Sequence, residues 1–238
     1  MYRTLPLAAA MLLAIPAHAE ADRAGWTGTG ELGFASARGN SRSENLNGKL
    51  GLRYEDDRWR HGINLAGLRA RSEVTADFDG DGVEESRLEL SANRYQFGIN
   101  SARKVTEYAY WVGAGRYEQD DFGKTSSQQT LSIGYGYTFF RDSDRISLTA
   151  EAGPGYRRAR IAATGETEED LILRSLLEYS QRLTANSRLV NSLLVESGED
   201  NTFVQNDLGL SVAMNTKLAL KAGLQLRHNT EVGPGTKR

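Results

Sequence analysis

TSSQQTLSIGYGYTFFRDSDRISLTAEAGPGYR, residues 125–157, decides the fold. It reads as one β-hairpin. In the first arm Leu131, Ile133, Tyr135, Tyr137 and Phe139 share one face, and Thr130, Ser132, Gly134, Gly136 and Thr138 share the other. Arg141-Asp142-Ser143-Asp144 turns the chain. The return arm sets Ile146, Leu148, Ala150, Ala152 and Tyr156 against Ser147, Thr149, Glu151, Gly153 and Arg157. Alternation with a period of two marks a sheet with one apolar and one polar side. Strands in soluble proteins are commonly about 5–6 residues long. These arms are about twice that, and a tilted strand needs about 9–11 residues to cross a bilayer. A membrane-spanning β-barrel is therefore the expectation.

The pattern recurs on both sides of the hairpin. Trp26, Gly28, Gly30, Leu32 and Phe34 oppose Thr27, Thr29, Glu31 and Gly33, and Gly39-Asn40-Ser41 ends the run. Leu46, Gly48, Leu50, Leu52 and Tyr54 oppose Asn47, Lys49, Gly51 and Arg53. Trp59–Ser72 and Arg87–Ser101 follow, with phase slips at Gly67-Leu68 and Arg94-Tyr95 that predict bulges, since one extra residue re-aims every later side chain. Tyr108, Tyr110, Val112 and Ala114 mark another strand. Leu171–Leu183, Arg188–Val195, Val204–Met214 and Leu218–Leu226 supply the rest, about eleven in all. Longer connections (Arg38–Ser43, Ala76–Glu85, Glu118–Thr125, Ala162–Glu169, Ser197–Thr202) alternate with tighter ones, the order of a barrel that starts in the periplasm. Single-chain bacterial barrels have an even strand number. The last residues, Gly233-Pro234-Gly235-Thr236-Lys237-Arg238, read as a loop, so either the count of eleven is off or a twelfth strand lies beyond them.

Residues 1–19 read as a secretory signal peptide. Arg3 is its charged start, Leu5–Ile15 its apolar run, and Ala17-His18-Ala19 its cleavage site before Glu20. Residues 20–238 then form one barrel domain. No later apolar run is long enough for a spanning helix. A mean hydropathy of −0.51 resembles a soluble protein, yet a barrel hides its lipid face in alternation. With no cysteine, a disulfide framework, a thiolate metal site and a cysteine nucleophile are excluded. A net charge of −2, from 29 basic and 31 acidic residues, gives no reason to expect nucleic acid as a partner.

The polar phase collects Glu31, Lys49, Arg53, Glu151, Arg157, Arg174, Glu178, Arg182, Asp207, Lys221 and Arg227. Turned inward, these charges line a lumen narrower than that of a porin with its about 16–18 strands, either paired into a plug or edging a slim pore. Trp26, Tyr54, Trp59, Tyr108 and Tyr156 fall near strand ends, where aromatic girdles sit. Asp77-x-Asp79-x-Asp81-Gly82 looks like the start of a calcium loop, with Ca2+ or Mg2+ as the candidate ion. The bidentate glutamate of its twelfth position is missing, because Leu88 stands there. Catalysis has little support. His61 and His228 fall on the apolar phase, no G-x-S-x-G elbow exists, and Asp120-Asp121 reads as a solvated loop pair.

These residues resemble a family, the salt-induced outer-membrane proteins catalogued as domain of unknown function 481. The resemblance rests on Gly25-Trp26-Thr27-Gly28 with Glu31-Leu32-Gly33 and Gly39-Asn40-Ser41 as a first hairpin. It adds the loop Tyr117-Glu118-Gln119-Asp120-Asp121-Phe122, the glycine-rich pair Gly134-Tyr135-Gly136-Tyr137 and Gly153-Pro154-Gly155-Tyr156, and Gly233-Pro234-Gly235-Thr236-Lys237. The resemblance implies an outer-membrane barrel without established activity, closed by a final strand past Lys237 that the barrel-assembly machinery reads.

The expected fold is an all-β, antiparallel up-and-down transmembrane β-barrel with eleven strands visible and twelve in the complete family fold. The expected function is non-enzymatic: a monomeric envelope protein of the Gram-negative outer membrane, in contact with its lipid and lipopolysaccharide. It is structural or a narrow channel, and linked by the resemblance to salt or osmotic stress. The alternative is a soluble periplasmic barrel for a small apolar ligand, which needs the apolar phase inside and the charged phase outside.

Overall fold

Long alternating strands satisfy their backbone by pairing each with the next, and a meander needs no other connection. The computed structural model describes residues 11–16, 25–37, 42–140, 143–199, 201–215 and 219–230. Met11–Pro16 is β1, Gly25–Ala37 β2, Ser43–Glu55 β3, Trp59–Ala76 β4, Glu85–Lys104 β5 and Ala109–Asp120 β6. Thr125–Phe139 is β7, Ile146–Ile161 β8, Thr167–Arg182 β9, Ser187–Ser197 β10, Thr202–Ala213 β11 and Ala219–Asn229 β12. From β2 to β12, eleven strands pair antiparallel in chain order as one curled sheet, and no helix occurs among the described residues.

β1 lies between the first and last of these strands. Ala14 stands opposite Glu31 on one side and Ala219 on the other, which closes the ring. The place of the twelfth strand, expected past Lys237, is thus taken by a stretch inside the expected leader. Unpaired edges on β2 and β12 accept any extended segment that offers backbone groups, and an apolar run does so readily. The cleavage site, Glu20, Gly39–Ser41, Leu218 and Gly233–Lys237 lie outside the described residues.

The hairpin 125–157 is β7 and β8, with Leu131 opposite Tyr156 and Tyr137 opposite Ala150. Near Pro154, which has no amide to donate, the ladder opens. There Gly134 and Gly153 approach so closely that a Cβ on Gly153 would fall on the carbonyl oxygen of Ile133. The bulges differ from expectation. β4 and β5 keep register through Gly67-Leu68 and Arg94-Tyr95, and the irregularity lies at Ala70/Arg71, where Ser91 is the extra residue. Leu68 breaks the sequence alternation because it lines the interior cavity opposite Arg94, not because the backbone slips. The loops also differ. β6 runs to Asp120 and β9 starts at Thr167, so much of the expected loop length is strand. The longest described connection, 77–84, marks what is called here the loop end, and the opposite end is the turn end.

Candidate functional site

Side-chain exposure settles which phase faces in. Leu131 is 65% exposed, Leu171 79% and Leu224 55%, whereas Arg157 is 4% exposed and Glu196 0%. The apolar phase is outside and the charged phase inside. An interior lined by apolar residues, which the soluble-cup alternative requires, is not what the sheet builds. On the outside, aromatic rings gather at the turn end. Trp26 packs on Tyr54 at 5.4 Å, and His61 stacks between Tyr54 and Trp59. Tyr108 stacks on Tyr137 at 6.1 Å, and Trp111 packs edge-on to Tyr135.

Inside, near the loop end, ion pairs cross the lumen. Arg116 on β6 donates to Glu196 on β10 at 2.5 Å and pairs with Glu118 at 3.2 Å. Arg227 on β12 reaches Glu118 at 2.5 Å, although β6 and β12 stand on opposite sides of the ring. Phe203 is buried between the two arginines, its ring 5.1 Å from the guanidinium of Arg116 and 5.0 Å from that of Arg227. Gln128 also donates to Glu196, at 3.4 Å. The face of Phe203 attracts both guanidiniums, and the two carboxylates answer their charges. Beside this layer Arg157 donates to Asp170 and to the carbonyl of Asn201, both at 2.9 Å.

A second group sits toward the turn end. Tyr110 donates to Glu151 at 2.8 Å, Arg174 donates to the other oxygen of Glu151 at 3.3 Å, and Arg60 lies 4.4 Å over the Tyr110 ring. Gly136 makes room for that ring, since a Cβ there would lie 2.2 Å from its Cζ. Two cavities flank the loop-end layer. The larger, about 1360 Å³, extends from the layer to turn-end residues such as Lys104 and Tyr108, and the smaller, about 200 Å³, lies among the loops.

The structure places the expected lumen residues as follows. Glu31, Lys49, Arg53 and Glu151 line the larger cavity, as do Arg174, Glu178, Asp207 and Lys221. Arg157 and Arg227 line the smaller one. Arg182 lies at the turn end, directly opposite Arg188. Lys221 is paired with Glu31, and Lys49 stands 3.9 Å from Asp207. Arg60, Arg116, Glu118, Phe203, Asp170 and Glu196 were not singled out in the sequence. Parity was the signal for Glu196, which is on the lumen phase of its strand. It misled for β6, where Tyr110 and Val112 face inward and Trp111 faces out, because both faces of that strand are apolar.

The carboxylate oxygens of Asp77, Asp79 and Asp81 lie within 4.8 Å of one another and are exposed. They are also the loop's internal caps. Asp77 accepts the amides of Gly80 at 2.7 Å and Gly82 at 2.8 Å, and Asp81 accepts that of Val83 at 2.8 Å. Gly80 and Gly82 have φ of 79° and 86°, which suits glycine. The amide of Gly82, with that of Gly80, holds the Asp77 carboxyl below its ordinary range. Asp120 and Asp121 belong to separate networks. Asp120 stands 3.9 Å from Arg94, while Asp121 accepts from Asn93 at 2.5 Å, which lowers its pKa.

The uncharacterized protein YdiY of Escherichia coli (strain K12) is 27% identical over 146 residues, which are 61% of this chain and 57% of that protein's length. A solved structure described as a bacterial polysaccharide outer membrane secretin aligns over 92% of this chain and 93% of its own, at 12% identity and a TM-score of 0.38. Residues 30–238 match the family described as "Protein of unknown function, DUF481", and the chain belongs to that family.

Proposed function

We propose that this protein is a non-enzymatic, monomeric β-barrel of the Gram-negative outer membrane, inserted by the barrel-assembly machinery after an N-terminal leader is removed. Its lumen is closed toward the loops, so it is a structural envelope protein and not an open pore. The observation that carries this reading is the orientation of the sheet, with Leu131 and Leu171 exposed outward and Glu196 and Arg157 buried inward. A soluble protein gains nothing from such an apolar exterior, whereas lipid tails solvate it. The turn-end rings supply a girdle at the height where aromatic residues meet headgroups. The acidic loop 77–85 faces outward in this orientation, where a divalent cation bridges its carboxylates to lipopolysaccharide phosphates.

Fractionation of the native host, followed by gel electrophoresis with and without heating, tests the reading. Outer-membrane location with a faster-running unheated band is the expected result. Recovery as a soluble periplasmic protein overturns it. Growth of a deletion strain across a salt series tests the stress link implied by the resemblance.

A further inference from the structure

The turn-end rim of the lumen carries a row of arginines that no described carboxylate answers. Arg182 on β9 and Arg188 on β10 are direct cross-strand partners, and such partners share a face. On the other side of β9 the amide of Arg182 donates to the carbonyl of Arg145 at 2.7 Å, which sets Arg145 next in the row. The face is the lumen's: Arg188 lines the larger cavity, and so does Glu178, four residues before Arg182 on the same strand. Beyond Arg188 the row continues through Ser211 to Lys221.

The rest of the lumen is built differently. Arg53, Arg60, Arg94, Arg116, Arg157, Arg174 and Arg227 each have a described carboxylate within 4 Å, and Lys221 has Glu31. Among the described residues Arg145, Arg182 and Arg188 have none, and all three are exposed to solvent. Like charges placed directly opposite destabilise a sheet. A sheet that neutralises its interior arginines elsewhere but lines up three at one mouth keeps them for a charge from outside. Guanidinium forks match phosphate and carboxylate oxygens two at a time.

The cavity behind the row says what kind of anion fits. It has about 1360 Å³, reaches up to the Arg116–Glu196 layer, and is lined by Asn64, Asn100 and Gln96, by small residues, and by carboxylates such as Glu31, Glu151 and Asp207 that already have cationic partners in Lys221, Arg174 and Lys49. A solute entering by the turn end therefore meets arginines first, then hydrogen-bonding carboxamides, and leaves the way it came. We propose that the turn-end rim is an oxyanion-binding site that draws the phosphate or carboxylate group of a soluble polar solute into this cup.

The inference rests on the closed, inward-charged barrel, so folding and binding are read separately. The full chain is refolded in detergent, its β signature is checked by circular dichroism and its heat shift on a gel, and it is titrated calorimetrically with inorganic phosphate at constant ionic strength. Saturable binding is expected. The double variant Arg182→Gln/Arg188→Gln should keep the heat shift and bind at least tenfold more weakly. Arg103→Gln, which removes an outward arginine lying 6.0 Å over the Trp59 ring, should bind as wild type. A folded wild type without saturable binding, or a double variant that binds equally, overturns the proposal. So does a second arm in which the arginines matter only for association with vesicles containing phosphatidylglycerol, which would make the ligand a lipid headgroup.

Discussion

Arg116 on β6 and Glu196 on β10 meet at 2.5 Å across the lumen, although four strand positions separate them around the ring. Neighbouring strands are tied by backbone hydrogen bonds, but strands so far apart share only what their side chains build between them. This pair, with Arg227, Glu118 and Phe203, joins opposite walls of the sheet and takes up the space through which a solute would pass.

Removing one partner of that pair should cost much more than removing both. Glu196→Ala leaves Arg116 with Glu118, at 3.2 Å, as its remaining described carboxylate. The expected loss is about 3 kcal/mol, in the range for stranding a buried charge. Replacing both by apolar residues of similar size, Arg116→Met with Glu196→Leu, should recover most of it. Urea unfolding of the detergent-solubilised barrel, followed by tryptophan fluorescence, measures both. Equal losses in the two variants would mean that the charges contribute as separate surface groups.

Conductance probes the same layer. Wild-type protein in a planar bilayer should show no regular channel steps. Phe203→Ser combined with Arg116→Ser and Arg227→Ser deletes the stacked ring and both guanidiniums that hold it. Stepwise currents should then appear. Channels in the wild type would show that the lumen conducts around Phe203 and would favour the narrow-pore reading.

Much of this was legible before any coordinates, and the failures have physical causes. The β7–β8 hairpin alternates so regularly that its apolar face, Leu131 to Phe139, could be read directly, whereas only exposure shows that this face is the outer one. β6 could not, because Tyr110 is packed inside by Arg60 and Glu151 while Trp111 meets the outside, so both faces look greasy. Leu68 suggested a bulge for a similar reason: one apolar residue on the lumen wall imitates a register slip. The charged lumen phase could be found strand by strand. Which charges meet across the interior could not, since Arg227 and Glu118 are 109 residues apart and only ring closure brings them together. Phe203, an aromatic on the polar phase, carries a sequence signal of the closing layer, as the parity of Glu196 does.

Packing at Gly136 offers a sharp contrast between two glycines. A Cβ on Gly136 would lie 2.2 Å from the Cζ of Tyr110, whereas one on Gly113 has nothing within 4 Å. Gly136→Ala should therefore destabilise by about 1–3 kcal/mol, the usual cost of overpacking, and Gly113→Ala should change little. Adding Tyr110→Ala to Gly136→Ala should remove the clash, so the two losses should fall short of additive. Denaturant midpoints of the four proteins give the answer, and strict additivity would deny the contact.

Acid should loosen the 77–84 loop. The amides of Gly82 and Gly80 hold the Asp77 carboxyl below its ordinary value of 3.8. A lowered pKa means that the stabilisation is fully present above the unfolded value and is lost as pH falls through the folded one. The amides of Gly80 and Gly82 should thus stay protected down to about pH 4 and lose protection only below it. Hydrogen exchange at these amides across an acid series is the measurement. Asp77→Asn should leave a flat profile in that range, and loss of protection at higher pH would point to a different group.

What fills the place of Met11–Pro16 once the leader is removed is open to a direct measurement, because the chain has no cysteine of its own. Removal of the leader should leave a native protein that begins at Glu20, which intact mass reads. Leu32 and Leu220 are both paired with Leu13, one on either side of β1. With any strand between them, their Cα atoms lie about two strand spacings apart, roughly 9–10 Å. A disulfide tolerates no more than about 7 Å. The variant Leu32→Cys/Leu220→Cys, isolated from native membranes and oxidised, should therefore stay uncrosslinked as long as a strand lies between β2 and β12, in protein that starts at Glu20 as in the full chain. A crosslink in such protein would mean instead that β2 and β12 pair directly and that the mature ring closes with eleven strands.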